Sequence, residues 1–226
     1  MTRSFSLFYI APFAALIAVV AAQRSLPLPP ALAEAGSAAI VAVVLASVWN
    51  RAPDFMPGKL GVGHWLGSPL LGVVTFLLWI APDSLIAGYR HHVWFENPVF
   101  GSFAPGLTAA ARAQPAVIWI RAFRAILLTP VAEELFWRAW MMRWIARDDF
   151  LALPLGTYTP RGFWTVAVLF GMEHGPLWDV GIVTGVLYNG WMVRTRSLGD
   201  VILVHAITNA CLSAYVLTNG KWEYWP

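Results

Sequence analysis

Long apolar runs, separated by short polar or proline- and glycine-rich breaks, dominate this chain. They lie at about residues 5–22, 32–49, 66–82, 116–146, 163–175, 177–194 and 198–218, and each is read as a membrane-crossing helix. Leu26-Pro27-Leu28-Pro29-Pro30 and the stretch Pro53 to Gly63 separate the early runs, and residues 83–115 form one long loop. The pattern predicts an all-α polytopic membrane bundle of about seven (seven or eight) transmembrane helices. It forms one membrane domain over 1–226, with N-terminal helices and the long loop in 1–115 and a core in 116–218. Arg3 followed by an apolar stretch to Ala22 resembles a signal peptide, but the stretch is long enough to span and more spans follow. A retained first helix is the expectation, with a cleaved signal as its alternative.

The run 116–146 holds the uncertainty in helix number. At roughly 30 residues it would be about 45 Å long, and it carries Arg121, Arg124, Pro130 and Arg138. One long kinked helix is expected, with a split into two short spans as the alternative. With one helix, Arg3, Arg51, Lys59, Arg143, Arg147, Arg161, Arg194 and Arg196 collect on one side, which the positive-inside rule makes cytoplasmic. Arg24, Arg90, Arg112 and Lys221 fall on the other. A split flips the front half, moving Arg3, Arg51 and Lys59 across, and again gives eight charges against four, so the charge rule does not choose between the two versions. Both versions keep Arg143 to Arg161 and Arg194 to Arg196 cytoplasmic.

Composition agrees with a membrane setting. Hydrophobic residues are 58% and charged residues 12%, about half the share in soluble domains. The net charge of +3 is spread along the chain with no basic arm, so nucleic acid is not an expected partner. Cys211 is the only cysteine, which excludes an internal disulfide and reads as a packing residue.

Three polar sets interrupt the apolar runs, where ionisable groups are costly and usually functional. They are Glu133-Glu134 with Arg138, Glu173-His174, and His205 with Asn209. Four-residue spacing puts Glu134 and Arg138 on one helix face, where they can pair, and turns Glu133 about 100° away toward a cavity. A carboxylate in a dry pocket suits a general base. Phe170 and His174 share a face, as do His205 and Asn209. Measured from the cytoplasmic arginines, Glu133, His174 and His205 lie roughly 20, 19 and 13 Å deep. Convergence at one depth favours a site, against the plainer reading of a polar network that glues helices. A proton-relay transporter and a catalytically silent scaffold are the remaining alternatives.

Ala132-Glu133-Glu134-Leu135-Phe136-Trp137-Arg138 resembles the EExxxR motif of the CAAX-protease and bacteriocin-processing (CPBP) family. Phe170-Gly171-Met172-Glu173-His174 resembles its FxxxH motif, and His205-Ala206-Ile207-Thr208-Asn209 its HxxxN/D motif. The resemblance implies an intramembrane endopeptidase with Glu133 activating water, assisted by His174. It implies that His205 and Asn209 stabilise the oxyanion, and that Glu134, Arg138, Phe170 and Glu173 support the site; which of Glu133 and Glu134 is the base rests on the family and on helical phase. Its substrate would be a membrane-associated or lipidated protein or peptide. A narrower resemblance, to a bacterial CAAX prenyl protease-related branch associated with exosortase systems, runs through Trp178-Asp179-Val180-Gly181, Tyr188-Asn189, Arg194 to Leu198 and Trp222 to Trp225. It implies a bacterial inner membrane. HExxH is missing and Phe170 stands where HxxEH needs its first His, so no metal cofactor is expected and zinc is the disfavoured option.

Other polar residues read more plainly. His91, His92 and Glu96 are expected as solvated loop residues and His64 as interfacial. Arg121 or Arg124 is expected to snorkel or to pair with an acid such as Glu173. Asp179 and Asp200 are expected at helix starts, and Trp178, Trp191, Trp222 and Trp225 in an aromatic belt.

Overall fold

The computed structural model describes residues 2–23, 25, 27–54 and 65–225, and side chains from Phe5 onward. Arg24, Lys59, His64 and the Arg3 side chain, all used in the charge and interface readings above, lie outside the described residues. Regular structure among the described residues is helical, apart from one antiparallel bridge between Asn97 and Gly101.

Seven helices follow the seven apolar runs: α1 Thr2–Gln23, α2 Pro30–Val48, α3 Gly67–Leu85, α4 Pro115–Trp144, α5 Pro160–Met172, α6 Trp178–Thr195 and α7 Leu198–Asn219. Five of them, α1 to α4 and α7, are long and apolar enough to cross a membrane. The run expected at 163–175 is shorter as a helix. Thr159 caps the start of α5, accepting from the Gly162 N–H at 3.2 Å, and Pro160 occupies its first position. Gly175, at φ 57°, and Pro176 end the helical course. Thirteen residues make about 20 Å of helix, less than the roughly 30 Å hydrocarbon core. Glu173 and His174 therefore sit on the turn after α5 and not within the helix.

α4 is one continuous 30-residue helix. Two π segments, Arg124–Leu128 and Leu135–Met141, flank the α-helical Thr129–Glu134. The first has a readable cause. Thr129 N–H bonds to Arg124 O in π register; the next donor in that register would be residue 130, a proline with no N–H. The Ala125 carbonyl is thereby released, and Asn209 of α7 donates its side-chain amide to it at 2.8 Å. Pro130 thus bends the backbone pairing where α4 meets α7.

α5 and α6 form a hairpin held by close backbone approach, since apolar side chains gain little from leaving lipid for one another. A Cβ on Gly181 would lie 2.8 Å from Gly171 Cα, and one on Gly185 would lie 2.8 Å from Ala167 Cα. α3 runs along α7, where Thr208 Oγ1 donates to the Gly72 carbonyl at 3.1 Å. α1 covers the second π segment through Phe13, stacked on Phe136 with centroids 4.3 Å apart.

Two arginines counted as topological loop charges are buried struts. Arg143, 3% exposed, pairs with Asp54 and donates to Leu153 O at 3.0 Å; Tyr9 of α1 donates to the same Asp54 at 2.7 Å. Arg90, 1% exposed, pairs with Asp83 at 3.1 Å and with Asp179, and donates to Pro176 O at 2.9 Å. Asp179 therefore holds the long loop down as well as opening α6. Asp200 sits buried in the first turn of α7 and accepts from Ser68 of α3 at 3.0 Å. Trp225 is buried in the packing around α4 and α7 and is not part of a lipid-facing belt. Introducing Gly181→Val should force α5 and α6 apart, an overpacking cost of about 1–3 kcal/mol or more, read as a lower Tm of the purified protein in detergent.

Candidate active site

The three polar sets converge. Glu133 and Glu134 come from the α-helical turn of α4 between the two π segments, Glu173 and His174 from the turn after α5, and His205 and Asn209 from α7. All of them except Glu134 border one cavity of about 870 Å³, shared with Phe170, Tyr188 and Trp79 and covered in part by loop residues near Phe100.

Glu134 is fully buried. Its Oε1 accepts from Arg138 Nη1 at 3.1 Å, the pairing that the four-residue spacing predicts, and from His205 Nδ1 at 2.8 Å, which spacing could not reveal. A carboxylate only accepts, so the proton of this bond belongs to Nδ1. His205 Nε2 is then left facing Glu133, 4.0 Å from its Oε2. That oxygen is buried and has no hydrogen-bond partner among the described residues. Glu133 is 8% exposed against 0% for Glu134, so of the two carboxylates Glu133 borders the cavity and Glu134 does not.

His174 is oriented by its own helix end. Its Nδ1 lies 2.6 Å from the Phe170 carbonyl, which makes Nδ1 the donor, and Trp79 of α3 packs edge-on at 5.1 Å. Phe170 gathers the site physically. Its ring lies under the Arg138 guanidinium at 4.2 Å and contacts the rings of His174 at 4.8 Å and His205 at 6.2 Å. Glu173, exposed, accepts from Trp137 Nε1 at 3.2 Å. Donor atoms of Glu133, Glu173 and His174 all fall within 4.8 Å of one another, two carboxylates and an imidazole that could hold a divalent cation.

Asn209 reaches the cavity, but one of its amide hydrogens is committed to Ala125 O; the second is left for a ligand. Arg121 and Arg124 do not pair with Glu173. Both bond Glu34 of α2, Arg121 through Nη1 at 2.8 Å and Arg124 through Nη2 at 3.0 Å. Glu34 was legible as an acid inside an apolar run, the same signal that exposed Glu133. His91 and His92 stay in the solvated loop as expected, with His91 2.9 Å from Glu96. That bond and the Phe103 N–H hold the Glu96 carboxyl below its usual range. Tyr188 and Thr208 also line the cavity and Asn189 bonds Arg138, and no motif spacing singles out their roles.

Residues 115–211 match the family model described as type II CAAX prenyl endopeptidase Rce1-like. That segment resembles the Rce1-like family. The match spans α4 to α6 and most of α7, the elements that carry every residue of the three motifs, while α1 to α3 lie outside it. No curated protein and no solved structure matched the chain. The family supports a membrane endopeptidase acting on a peptide or protein substrate.

The two adjacent glutamates should separate by experiment. Glu134→Ala leaves Arg138 and His205 buried without their shared acceptor, an expected loss of about 3–5 kcal/mol. Glu133→Gln breaks no hydrogen bond and should keep the wild-type Tm. Thermal unfolding of both variants in one detergent compares them.

Proposed function

We propose that the protein is an intramembrane endopeptidase in which Glu133 activates a water molecule. The observation that carries the reading is the Glu133 carboxylate: buried, without a hydrogen-bond partner among the described residues, and facing His205 Nε2 across the cavity. Glu133 accepts a proton from water as the water oxygen bonds to the scissile carbonyl carbon, and the carbonyl electron pair moves onto its oxygen. The second amide hydrogen of Asn209, and the Nε2–H of His205 when both ring nitrogens are protonated, donate to that oxyanion. As the tetrahedral intermediate collapses, the C–N bond breaks and the proton held by Glu133 passes to the leaving amine. His174, held through Nδ1, presents Nε2 to the attacking water.

The substrate is a membrane-associated or lipidated protein or peptide, and the setting is a bacterial inner membrane with about seven spans crossing it. The chemistry needs no metal: base, water and oxyanion donors are complete in the side chains. Among the described residues the Glu133, Glu173 and His174 cluster favours a metal-dependent version of the same hydrolysis, and a chelator separates the two.

Cleavage of a membrane-peptide library, read by mass spectrometry, tests the proposal. Glu133→Gln should cut at least about 100-fold more slowly than wild type at an unchanged Tm, and chelator should leave wild-type cleavage intact. Persistent cleavage by Glu133→Gln would overturn Glu133 as base; loss on chelation, restored by added zinc, would overturn the metal-free mechanism.

A further inference from the structure

A buried polar residue outside the three motifs bonds Arg138. Asn189 of α6 has no exposed surface. Its Nδ2 donates to the Phe163 carbonyl of α5 at 2.7 Å, and its Oδ1 accepts from Arg138 Nε at 3.0 Å. The two bonds fix its amide orientation, because a carbonyl requires the NH₂ and a guanidinium requires the oxygen. Arg138 is then held at Nε by Asn189, at Nη1 by Glu134, and on its faces by the rings of Phe170 at 4.2 Å and Tyr188 at 5.3 Å, while its buried Nη2 has no hydrogen-bond partner among the described residues.

These contacts form one chain across three helices and the α5 backbone: Phe163 O, Asn189, Arg138, Glu134, His205. It ends at Nδ1 of the imidazole whose Nε2 faces Glu133. An i, i+4 pair on one helix can rotate together about its side-chain torsions, so Glu134 and Arg138 do not set their own direction. An anchor on another helix does, and Asn189 is the polar anchor that α6 supplies.

We propose that Asn189 is a positioning residue: by holding Arg138 Nε it aims Glu134 at His205 Nδ1, and so fixes which imidazole nitrogen faces Glu133. The proposal rests on the peptidase reading for its kinetic consequence but not for its structural one. Asn189 does not touch substrate. Its loss should lower turnover by misplacing His205 while leaving peptide binding in place.

Two variants separate position from packing. Asn189→Leu keeps the branched heavy-atom shape and removes both bonds; Asn189→Asp keeps an oxygen toward Arg138. Asn189→Leu should lower kcat about 10- to 100-fold with KM changed less than about threefold, the pattern of a misplaced catalytic group. Asn189→Asp should recover most of kcat. A second readout needs no substrate: ¹⁵N-histidine NMR of the full chain in nanodiscs, with the His205 signal assigned by its loss in His205→Gln. Wild type and Asn189→Asp should show Nδ1 protonated, and Asn189→Leu a mixture of forms in which Nδ1 has partly lost its proton. If Asn189→Leu does not fold, Asn189→Ser replaces it, being too short to reach Arg138. Wild-type kcat and a wild-type His205 signal in the variant lacking the oxygen would overturn the proposal. So would equal loss in that variant and Asn189→Asp, since packing alone would then explain the effect. If the wild type cleaves nothing, the peptidase reading fails, and the NMR comparison still decides the role of Asn189.

Discussion

Glu134 sits at 0% exposure and receives Arg138 and His205 on one oxygen. Inside a bilayer an isolated carboxylate is prohibitively costly, and so is an isolated guanidinium. Each therefore requires the other, and the remaining acceptor capacity of Glu134 requires a donor from elsewhere. α7 supplies that donor as His205. The interhelical angle of α4 and α7, the direction of the imidazole and the free face of Glu133 all follow from meeting this one requirement.

The same logic recurs away from the site. Arg143 with Asp54 and Tyr9, Arg90 with Asp83 and Asp179, and Arg121 and Arg124 with Glu34 each tie segments distant in sequence through a buried charge. In a protein whose lipid-facing surface offers no hydrophobic drive for one helix to choose another, such pairs and the glycine contact of α5 with α6 specify the arrangement. The protein is built so that removing one partner strands the other, which makes the network rigid; rigidity is what a site needs to hold a base and two donors in register.

Pro130 links local chemistry to the site. Because it lacks an N–H, the π turn before it releases the Ala125 carbonyl, and Asn209 satisfies it. The side chain expected to face an oxyanion thus also repairs the backbone of the helix that carries Glu133. Coupling α4 to α7 twice, through Asn209 at Ala125 and through His205 at Glu134, keeps the two sides of the cavity from drifting apart.

Apolar run lengths determined an all-helical membrane chain, because a bilayer tolerates only backbone that satisfies itself. The four-residue periodicity determined the Glu134–Arg138 pair and turned Glu133 to another face, because both are properties of one helix. The motifs picked out residues that the fold brings together, and the family match covers the same helices. What crosses between helices was not legible. Glu34 as partner of Arg121 and Arg124, Asn189 as anchor of Arg138, and His205 as second donor to Glu134 depend on interhelical angles and on side-chain direction. Sequence spacing encodes neither. The shortness of α5 was readable in Gly175 and Pro176 but hidden by the apolar residues around them. Only the tertiary structure decided which of several buried charges meet, because in lipid that choice is made by the few partners that geometry brings within hydrogen-bond reach.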